Sequence, residues 1–202
     1  MGRTSMTEPR RRRTADQAVA EILTAAEALL TEGGVAAVQV RAVAARVGIT
    51  DAAVNYHVGT REQLLLALLR HGGKQIRAGI RSCAADLAAG DCDLDVVVDA
   101  LGDLYEGGYA ELLYALRKAG WRDRGTGLMA DLVDVLHSRR PEPRPDIDDT
   151  RLAVAALNQS LLADALLGGS SRRATGLASA SGGREQRQWW VGALRCSLGI
   201  EN

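Results

Sequence analysis

The sequence predicts an all-α fold with a small N-terminal domain and a larger helical C-terminal domain. Apolar residues recur at helical spacing along almost the whole chain, and no alternating run of β-branched residues is long enough for a strand. At 202 residues the chain is longer than one small domain, and its 47% hydrophobic and 25% charged residues are typical of a folded globular protein. We therefore expect two helical domains.

The first predicted helix begins at a capping box formed by Thr14 and Gln17 and ends at Gly33-Gly34. Spacings of three and four residues bring its apolar side chains onto one face. These side chains are Val19, Ile22, Leu23, Ala26, Leu29 and Leu30.

Two short helices follow, from about Val40 to Val47 and from about Thr50 to His57. Ala44 offers a small side chain where these helices cross, and Gly48 can take the positive φ that the turn requires. The side chain of Val54, six residues after the glycine, is expected to face the core from the next helix. The buried face also includes Val43, Val47 and Ile49. This spacing predicts a helix-turn-helix.

An inward Val54 leaves the opposite face of the third helix for base edges in the major groove of DNA. Asn55 can form two hydrogen bonds with adenine. Asp51 can accept from cytosine N4 or simply favour the helix N-terminus, and both roles stay open. The residues predicted to contact DNA from this segment are Thr50, Asp51, Ala52, Ala53, Asn55 and Tyr56.

Side chains at the end of the third helix are expected to bind phosphates and so to set register rather than sequence preference. They are Tyr56, His57, Thr60 and Arg61. Arg41, one step into the second helix, can reach either a phosphate or a guanine. Residues 1–13 hold five arginines against one glutamate and form a flexible basic arm, which either contacts a groove or is a solvated end.

The stretch from Val54 to Leu65 reads V-N-Y-H-V-G-T-R-E-Q-L-L and resembles the recognition-helix signature of the TetR family of regulators. Together with Ile22–Gly34 and Val40–Gly48, the resemblance covers about residues 15–68. It implies a helical homodimer that places two recognition helices in successive major grooves. Such regulators usually repress transcription and are released by a ligand.

Three positions depart from the family pattern. Val58 stands where Phe is common, Val38-Gln39 where Ser or Thr caps the second helix, and Arg61 where Lys is common. Without the cap, we expect the start of the second helix to be weaker by ~1 kcal/mol.

Thr60 and Gln63 form another capping box, which opens a long fourth helix that links the two domains. We therefore divide the chain into a basic arm at 1–13, a helix-turn-helix domain at 14–60 and a regulatory and dimerisation domain at 61–202. Later helices are predicted at about 93–105, 108–119, 126–140, 150–167 and 184–198. Two loops interrupt them, a Pro-rich loop at 141–145 and a Gly/Ser-rich loop at 168–183.

Aromatic residues cluster between positions 105 and 121, and a methionine follows on the next helix. Such a run forms either the wall of a ligand pocket or ordinary core, and the sensing role implied by the resemblance favours the pocket. The residues predicted to contact a small-molecule effector are Tyr105, Tyr109, Tyr114, Trp121 and Met129.

Six acidic residues and no basic one lie between Asp91 and Glu106. An EF-hand loop needs glycine at its sixth position and a carboxylate at its twelfth, where this chain has Val96 and Gly102. We therefore expect a solvated helix face, with a cationic ligand as the alternative. The histidines at 57, 71 and 137 are too scattered for a metal cluster, so neither a metal nor a cofactor is predicted.

Small and apolar residues recur at helical spacing in the 150–167 helix. In the resembled family the last two long helices of each subunit form a four-helix dimer interface. Packing in the core of one chain is the competing explanation. The predicted interface residues are Ala153, Ala156, Leu157, Ser160, Leu161, Asp164, Trp190 and Leu194.

The expected function is therefore DNA-binding transcription regulation, with a small-molecule effector that releases a repressor from a roughly palindromic operator. One alternative is a regulator whose C-terminal domain responds to a protein partner or has no ligand. An enzyme carrying a helix-turn-helix is a further alternative, but the sequence has no G-x-S-x-G, no P-loop and no dinucleotide-binding fingerprint.

The sequence also favours a cytoplasmic location. Its three cysteines have no C-x-x-C spacing, which argues against both a disulfide framework and a structural zinc site. Neither a signal peptide nor a membrane span is expected, because polar residues interrupt the most apolar stretch.

Overall fold

The structure is a computed structural model that describes residues 14–89, 93–122, 127–177 and 182–200. Within these ranges the chain forms nine α-helices and one π-helical turn, and no strand, which confirms the all-α fold. The helices are α1 (Ala15–Ala37), α2 (Val40–Val47), α3 (Asp51–Val58), α4 (Arg61–Ala89), α5 (Leu94–Leu104), α6 (Ala110–Lys118), α7 (Ala130–Ser138), α8 (Ile147–Ala174) and α9 (Gly182–Leu198). The π-turn (Tyr105–Tyr109) joins α5 to α6.

The predicted start of α1 is confirmed, and the helix breaks at the predicted glycine pair but continues for a further turn. The Thr14 hydroxyl accepts a hydrogen bond from the Gln17 backbone amide at 3.2 Å, and the Gln17 side-chain oxygen accepts from the Thr14 amide at 3.1 Å. The helical backbone breaks at Gly33 and at Gly34, whose φ of 65° is readily available only to glycine. A last turn then runs to Ala37 and sets the entry into α2.

The helix-turn-helix is built on the predicted small and apolar residues. Val43, Ala44 and Val54 are at most 1% exposed, so α2 and α3 cross through them. Gly48 lies in the left-handed region with φ 74° and ψ 39°. As expected, no side chain caps the start of α2, since the side chain of Gln39 makes no capping hydrogen bond there.

Helix α8 continues seven residues beyond its predicted end at 167, through two glycines, so the prediction of a loop from residue 168 is wrong. The reason is an ion pair along the helix, in which Arg172 Nη1 lies 2.5 Å from Asp164 Oδ1. The pair passes over Gly168, where an added Cβ atom would lie only 1.9 Å from the Asp164 oxygen. Gly168 therefore makes room for the contact that keeps this part of the chain helical.

The acidic face of α5 and the π-turn is not simply solvated, and that expectation is corrected. Arg187 of α9 is buried against it, with Nη1 2.6 Å from Asp103 and Nη2 2.8 Å from Glu106. Burial lowers the pKa of Arg187, but the hydrogen bonds to these two carboxylates outweigh it and the pKa rises above its usual value. A Cβ atom at Gly102 would lie 2.3 Å from the Arg187 Nε, so glycine lets the guanidinium approach α5. These acids fasten α9 onto α5.

Helix α8 is also long and apolar enough, by length and composition, to cross a membrane. A core helix can pass the same test. Val154, Leu157 and Leu161 are buried against other helices of the same chain, and α8 packs on α5, α6, α7 and α9. Its opposite face is also apolar but exposed, as Leu152 and Leu167 show at 70% and 63%.

Replacing Arg187 with alanine is expected to lower the free energy of unfolding by roughly 1.5 to 3 kcal/mol, because it removes charged hydrogen bonds and leaves facing carboxylates without their partner. The matched control is Arg184→Ala. The Arg184 side chain is 78% exposed and 3.9 Å from Asp99, so its loss should cost no more than about 0.5 kcal/mol. Urea unfolding measures both. Equal stability of the two variants would contradict the role given to Arg187.

Candidate DNA-binding surface and effector cavity

Helix α3 presents a polar outer face over a buried inner residue. Val54 is fully buried, whereas Tyr56 is 85% exposed and Asn55 also lies at the surface. Asp51 and Ala52 are exposed in the first turn of the helix. Four of the predicted reading residues therefore lie on a surface that the described residues leave exposed. A carboxylate or a short side chain there can approach a base edge in the major groove.

The remaining predicted contacts of α3 are partly engaged in its own structure. The Thr50 hydroxyl accepts from the Ala53 amide at 3.1 Å and so caps the helix. Ala53 is half-buried. The half-buried His57 ring meets the Tyr56 ring edge-on, with centroids 5.2 Å apart, and this contact helps to orient the exposed tyrosine.

The start of α4 is formed by the predicted capping box. The Thr60 amide donates to the Gln63 side-chain oxygen at 2.8 Å, and the Gln63 amide donates to the Thr60 hydroxyl at 3.4 Å. Thr60 remains exposed beside the end of α3. Arg41 is likewise exposed in the first turn of α2, so both can reach a phosphate that lies along this edge. The basic arm at 1–13 lies outside the described residues.

Arg61 has a structural role that the sequence reasoning missed. Its Nε donates to the Val38 carbonyl and its Nη2 to the Val35 carbonyl, each at 2.8 Å. The guanidinium therefore ties the last turn of α1 to the start of α4. The only signal for this in the sequence is the glycine break in α1, which leaves carbonyl groups needing donors. Binding of Arg61 to phosphate stays a prediction.

A cavity of about 320 Å³ opens between the π-turn, the start of α6 and α8. Its lining residues are Tyr105, Glu106, Gly108, Ala110, Glu111, Ala165 and Leu166. Of the five predicted effector contacts, Tyr105 lines it. The Tyr105 hydroxyl donates to Asn158 Oδ1 at 2.7 Å, and burial raises the pKa of Tyr105 to about 12. This phenol is therefore neutral at physiological pH.

The other four predicted effector contacts lie away from the lining of this cavity. Tyr109 is buried and bonded to α1, and Tyr114 is 56% exposed on α6. Trp121 and Met129 are half-buried and pack against the core. Helical spacing alone could not separate these positions, because the backbone kinks at Gly108 between α5 and α6.

A second, smaller cavity of about 200 Å³ lies between α4 and α5. Apart from Gln75, its lining is aliphatic or glycine: Ile76, Gly79, Ile80, Val97, Ala100, Leu101 and Leu104. The sequence reasoning did not identify it, since these residues read only as the inner faces of two helices.

The π-turn connects the larger cavity to the helix-turn-helix domain. On one side it supplies three of the cavity's lining residues. On the other, the Tyr109 hydroxyl donates to Glu27 of α1 at 2.7 Å, and the Thr31 hydroxyl donates to the Gly107 carbonyl at 3.3 Å. Burial and the hydrogen bond to Glu27 both raise the pKa of Tyr109, so the donor stays protonated.

Glycines allow this contact to be close. Gly108 has φ 103°, and an added Cβ atom there would lie 2.8 Å from Leu30 of α1. On α4, a Cβ atom at Gly72 would lie 2.1 Å from the ring of Tyr109. The Tyr109 ring thus lies between α4 and α1, and it has no space to move toward α4. A shift of the π-turn must move α1 or α4 with it.

The predicted dimer-interface residues divide into two groups. Leu157, Leu161 and Leu194 are at most 6% exposed and belong to the core of the single chain. Ala153, Ser160, Asp164 and Trp190 are half-buried, while Ala156 is exposed. The outward stripe of α8 instead contains Leu152, Ala156, Ala163 and Leu167, and the adjacent face of α9 exposes Trp189 and Ala193.

Comparison with known proteins identifies a family for the N-terminal part. Residues 22–68 match the sequence model of the family described as bacterial regulatory proteins, tetR family. No significant match was found among curated proteins. A member of the TetR family from Streptomyces coelicolor A3 has a similar structure, with a TM-score of 0.54, 22% identity and coverage of 90% of this chain and 98% of that chain.

Two further solved structures are similar. One is NalD from Pseudomonas aeruginosa, the secondary repressor of the MexAB-OprM multidrug efflux pump. It has a TM-score of 0.52 at 19% identity, and the match covers 94% of this chain and 100% of the NalD chain. The multidrug binding protein EbrR, solved with ethidium, has a TM-score of 0.54 at 23% identity, with 95% and 100% coverage of the two chains. At these identities the likeness shows the fold.

Replacing Arg61 with alanine is expected to lower the free energy of unfolding by about 1 to 3 kcal/mol, since two carbonyls at the end of α1 lose a charged donor. Arg41→Ala is the control. Arg41 is exposed, and its loss should change stability by less than about 0.5 kcal/mol while weakening binding to DNA. Urea unfolding of both variants measures the difference. An Arg61→Ala protein as stable as the wild type would refute the structural role.

Proposed function

We propose that this chain, whose residues 22–68 match the tetR family of bacterial regulatory proteins, is a transcriptional repressor that a small-molecule effector releases from a roughly palindromic operator. The observation that carries the proposal is the outer face of α3, where Asn55 and Tyr56 stand exposed over a buried Val54. The proposal places DNA binding in residues 14–60 and effector binding and dimerisation in 61–202. It is a proposal for a cytoplasmic regulator and not for an enzyme.

DNA recognition is assigned to two sets of side chains. Asn55, with Asp51 and Ala52 beside it, faces the bases, and an amide at this position suits the paired donor and acceptor of adenine. Tyr56, Thr60 and Arg41 bind phosphates and fix the register. The α3 and α4 N-termini add backbone amides that also favour phosphate.

Effector binding is assigned to the cavity beside the π-turn. Its volume, about 320 Å³, lies at the lower end of the range for small-molecule sites. An open cavity favours a small-molecule effector over the alternative of a filled core that answers to a protein partner. Two proteins of the same fold support this assignment, since the multidrug binding protein EbrR was solved with ethidium and NalD is a repressor of a multidrug efflux pump.

The route from cavity to DNA is assigned to the π-turn. An effector that displaces the π-turn acts on α1 through the Tyr109–Glu27 hydrogen bond and the Gly108–Leu30 contact. Since α1 packs on α2, a shift of α1 reorients the helix-turn-helix. In a symmetric dimer this changes the distance between the two recognition helices, and the effector stabilises whichever arrangement it binds more tightly.

Dimerisation is assigned to the outward stripe of α8 together with the exposed face of α9. Leu152, Leu167 and Trp189 are between 63% and 70% exposed in the single chain, and α8 and α9, which carry them, pack against each other. Large exposed apolar side chains often mark an interaction surface. Small residues between them, such as Ala156 and Ala163, allow a second pair of helices to approach closely. This places the interface on the opposite side of α8 from Leu157 and Leu161.

Sequence-specific DNA binding tests the proposal. The wild-type protein is used to select sites from a random-sequence DNA library, and we expect enrichment of a roughly palindromic sequence. On that sequence Asn55→Ala is expected to lose about 1 to 3 kcal/mol of binding free energy, or roughly 5- to 150-fold in affinity, because one base loses its paired hydrogen bonds. Binding to random DNA should be unchanged, since phosphate contacts remain. Gel-shift titration measures both affinities.

The control for this experiment is Asp134→Asn, an exposed change on α7 that should leave both affinities unaltered. The affinity of the wild type should also fall steeply with rising salt, as counterions are released from phosphates. If the selection enriches no sequence, the proposed function is refuted.

Leu167→Glu is expected to weaken the dimer by about tenfold or more, equivalent to ~1.4 kcal/mol, because it places a charge in an apolar interface. Val96→Glu is the control, since Val96 is 55% exposed on α5 and lies outside the proposed interface. Sedimentation velocity over a range of concentrations measures the monomer fraction. A wild-type protein that stays monomeric, or two variants that dissociate equally, would rule out this interface.

A further inference from the structure

We infer that the cavity beside the π-turn binds an organic cation with an apolar body, and that the carboxylates of Glu106 and Glu111 supply the opposite charge. The inference rests on the proposed function in taking this cavity as the effector site, and it adds the chemical class of the effector. It is carried by the composition of the lining and by the balance of charge around it.

The lining combines apolar walls with two carboxylates. Ala110 of α6 and Ala165 and Leu166 of α8 provide aliphatic surface, and Tyr105 adds an aromatic ring. Among the described residues that line the cavity, none is a lysine, arginine or histidine. The Tyr105 phenol is neutral and its hydrogen is already donated to Asn158. An apolar cation satisfies both parts of this lining, whereas an anion would meet two like charges.

Glu111 is the more telling of the two acids. No ion pair or hydrogen bond of its side chain is observed among the described residues. Its exposed carboxylate lies beside the glycine break in α1, where an added Cβ atom at Gly34 would be 2.7 Å from Glu111 Oε2. A carboxylate at a cavity wall that forms no ion pair within the described part of the chain is available to a ligand.

The surroundings leave a surplus of negative charge. Glu106 shares Arg187 with Asp103 and Asp99, and Arg184 is the only other cation within 4.0 Å of these acids in the described chain. Asp99, Asp103 and Glu106 share these two guanidinium groups, and Glu111 adds a fourth carboxylate on the cavity wall. The potential at the cavity mouth therefore favours a positively charged ligand.

Calorimetric titration with two ions of matched shape and opposite charge, tetraphenylphosphonium and tetraphenylborate, tests the inference on the full-length protein. We expect the phosphonium to bind and the borate not to bind. Glu111→Gln should weaken phosphonium binding by about tenfold, because one carboxylate near the cation is lost. Glu106→Gln should weaken it similarly, and the double variant should abolish it. Glu185→Gln, the same change at an exposed position of α9 outside the cavity, should leave binding unaltered.

Glu106 also pairs with Arg187, so Glu106→Gln can perturb folding. Glu111→Gln removes no observed ion pair and keeps the test decisive if its melting curve matches the wild type. Equal binding of both ions, or phosphonium binding that neither glutamine variant weakens, would overturn the inference. If an uncharged compound releases the protein from its operator while the phosphonium fails to bind, the inference fails and the proposed function stands. If the phosphonium binds as expected but the protein binds no operator, the proposed function fails and the inference stands.

Discussion

The hydrogen bond from Tyr109 to Glu27 is the contact on which the relation between the two halves of the molecule depends. It is a neutral phenol donating to a carboxylate, partly shielded from water, and it links the π-turn to the first helix of the DNA-binding domain. Gly72 of α4 lies close to the Tyr109 ring and Gly108 lies close to Leu30 of α1, so neither position has space for a side chain. The position of the π-turn on α1 is therefore set by close packing around this hydrogen bond and the one from Thr31 to Gly107, and tightly packed elements move as units rather than deforming gradually.

The helix-turn-helix was predictable because its determinants are local. Thr14, Thr60 and Gly48 act within four residues of their partners, so capping boxes and a turn glycine can be read directly from the chain. Val54 was placed correctly for the same reason. The reading residues follow from it by helical periodicity alone, although their contacts with DNA remain a prediction.

The C-terminal domain depends on partners far apart in sequence, and there prediction was limited. Arg187 meets acids 81 to 88 positions earlier, and nothing local distinguishes those acids from a solvated face. The Gly/Ser-rich composition after residue 167 favours a loop. The Asp164–Arg172 ion pair, which stabilises the first turns of this segment as a helix, is visible only in the structure. The backbone kinks at Gly108 in the π-turn, so the side chains of α6 do not continue the helical phase of α5.

Helix α8 has one apolar face turned to the core and another turned outward, and the outward face affects how stable the protein is in a cell. A newly made or diluted subunit carries an uncovered hydrophobic stripe that chaperones and proteases can recognise. If the proposed dimer forms through this stripe, a chain below the dimerisation concentration is exposed to degradation. The amount of protein in the cell would then rise more than proportionally with its rate of synthesis.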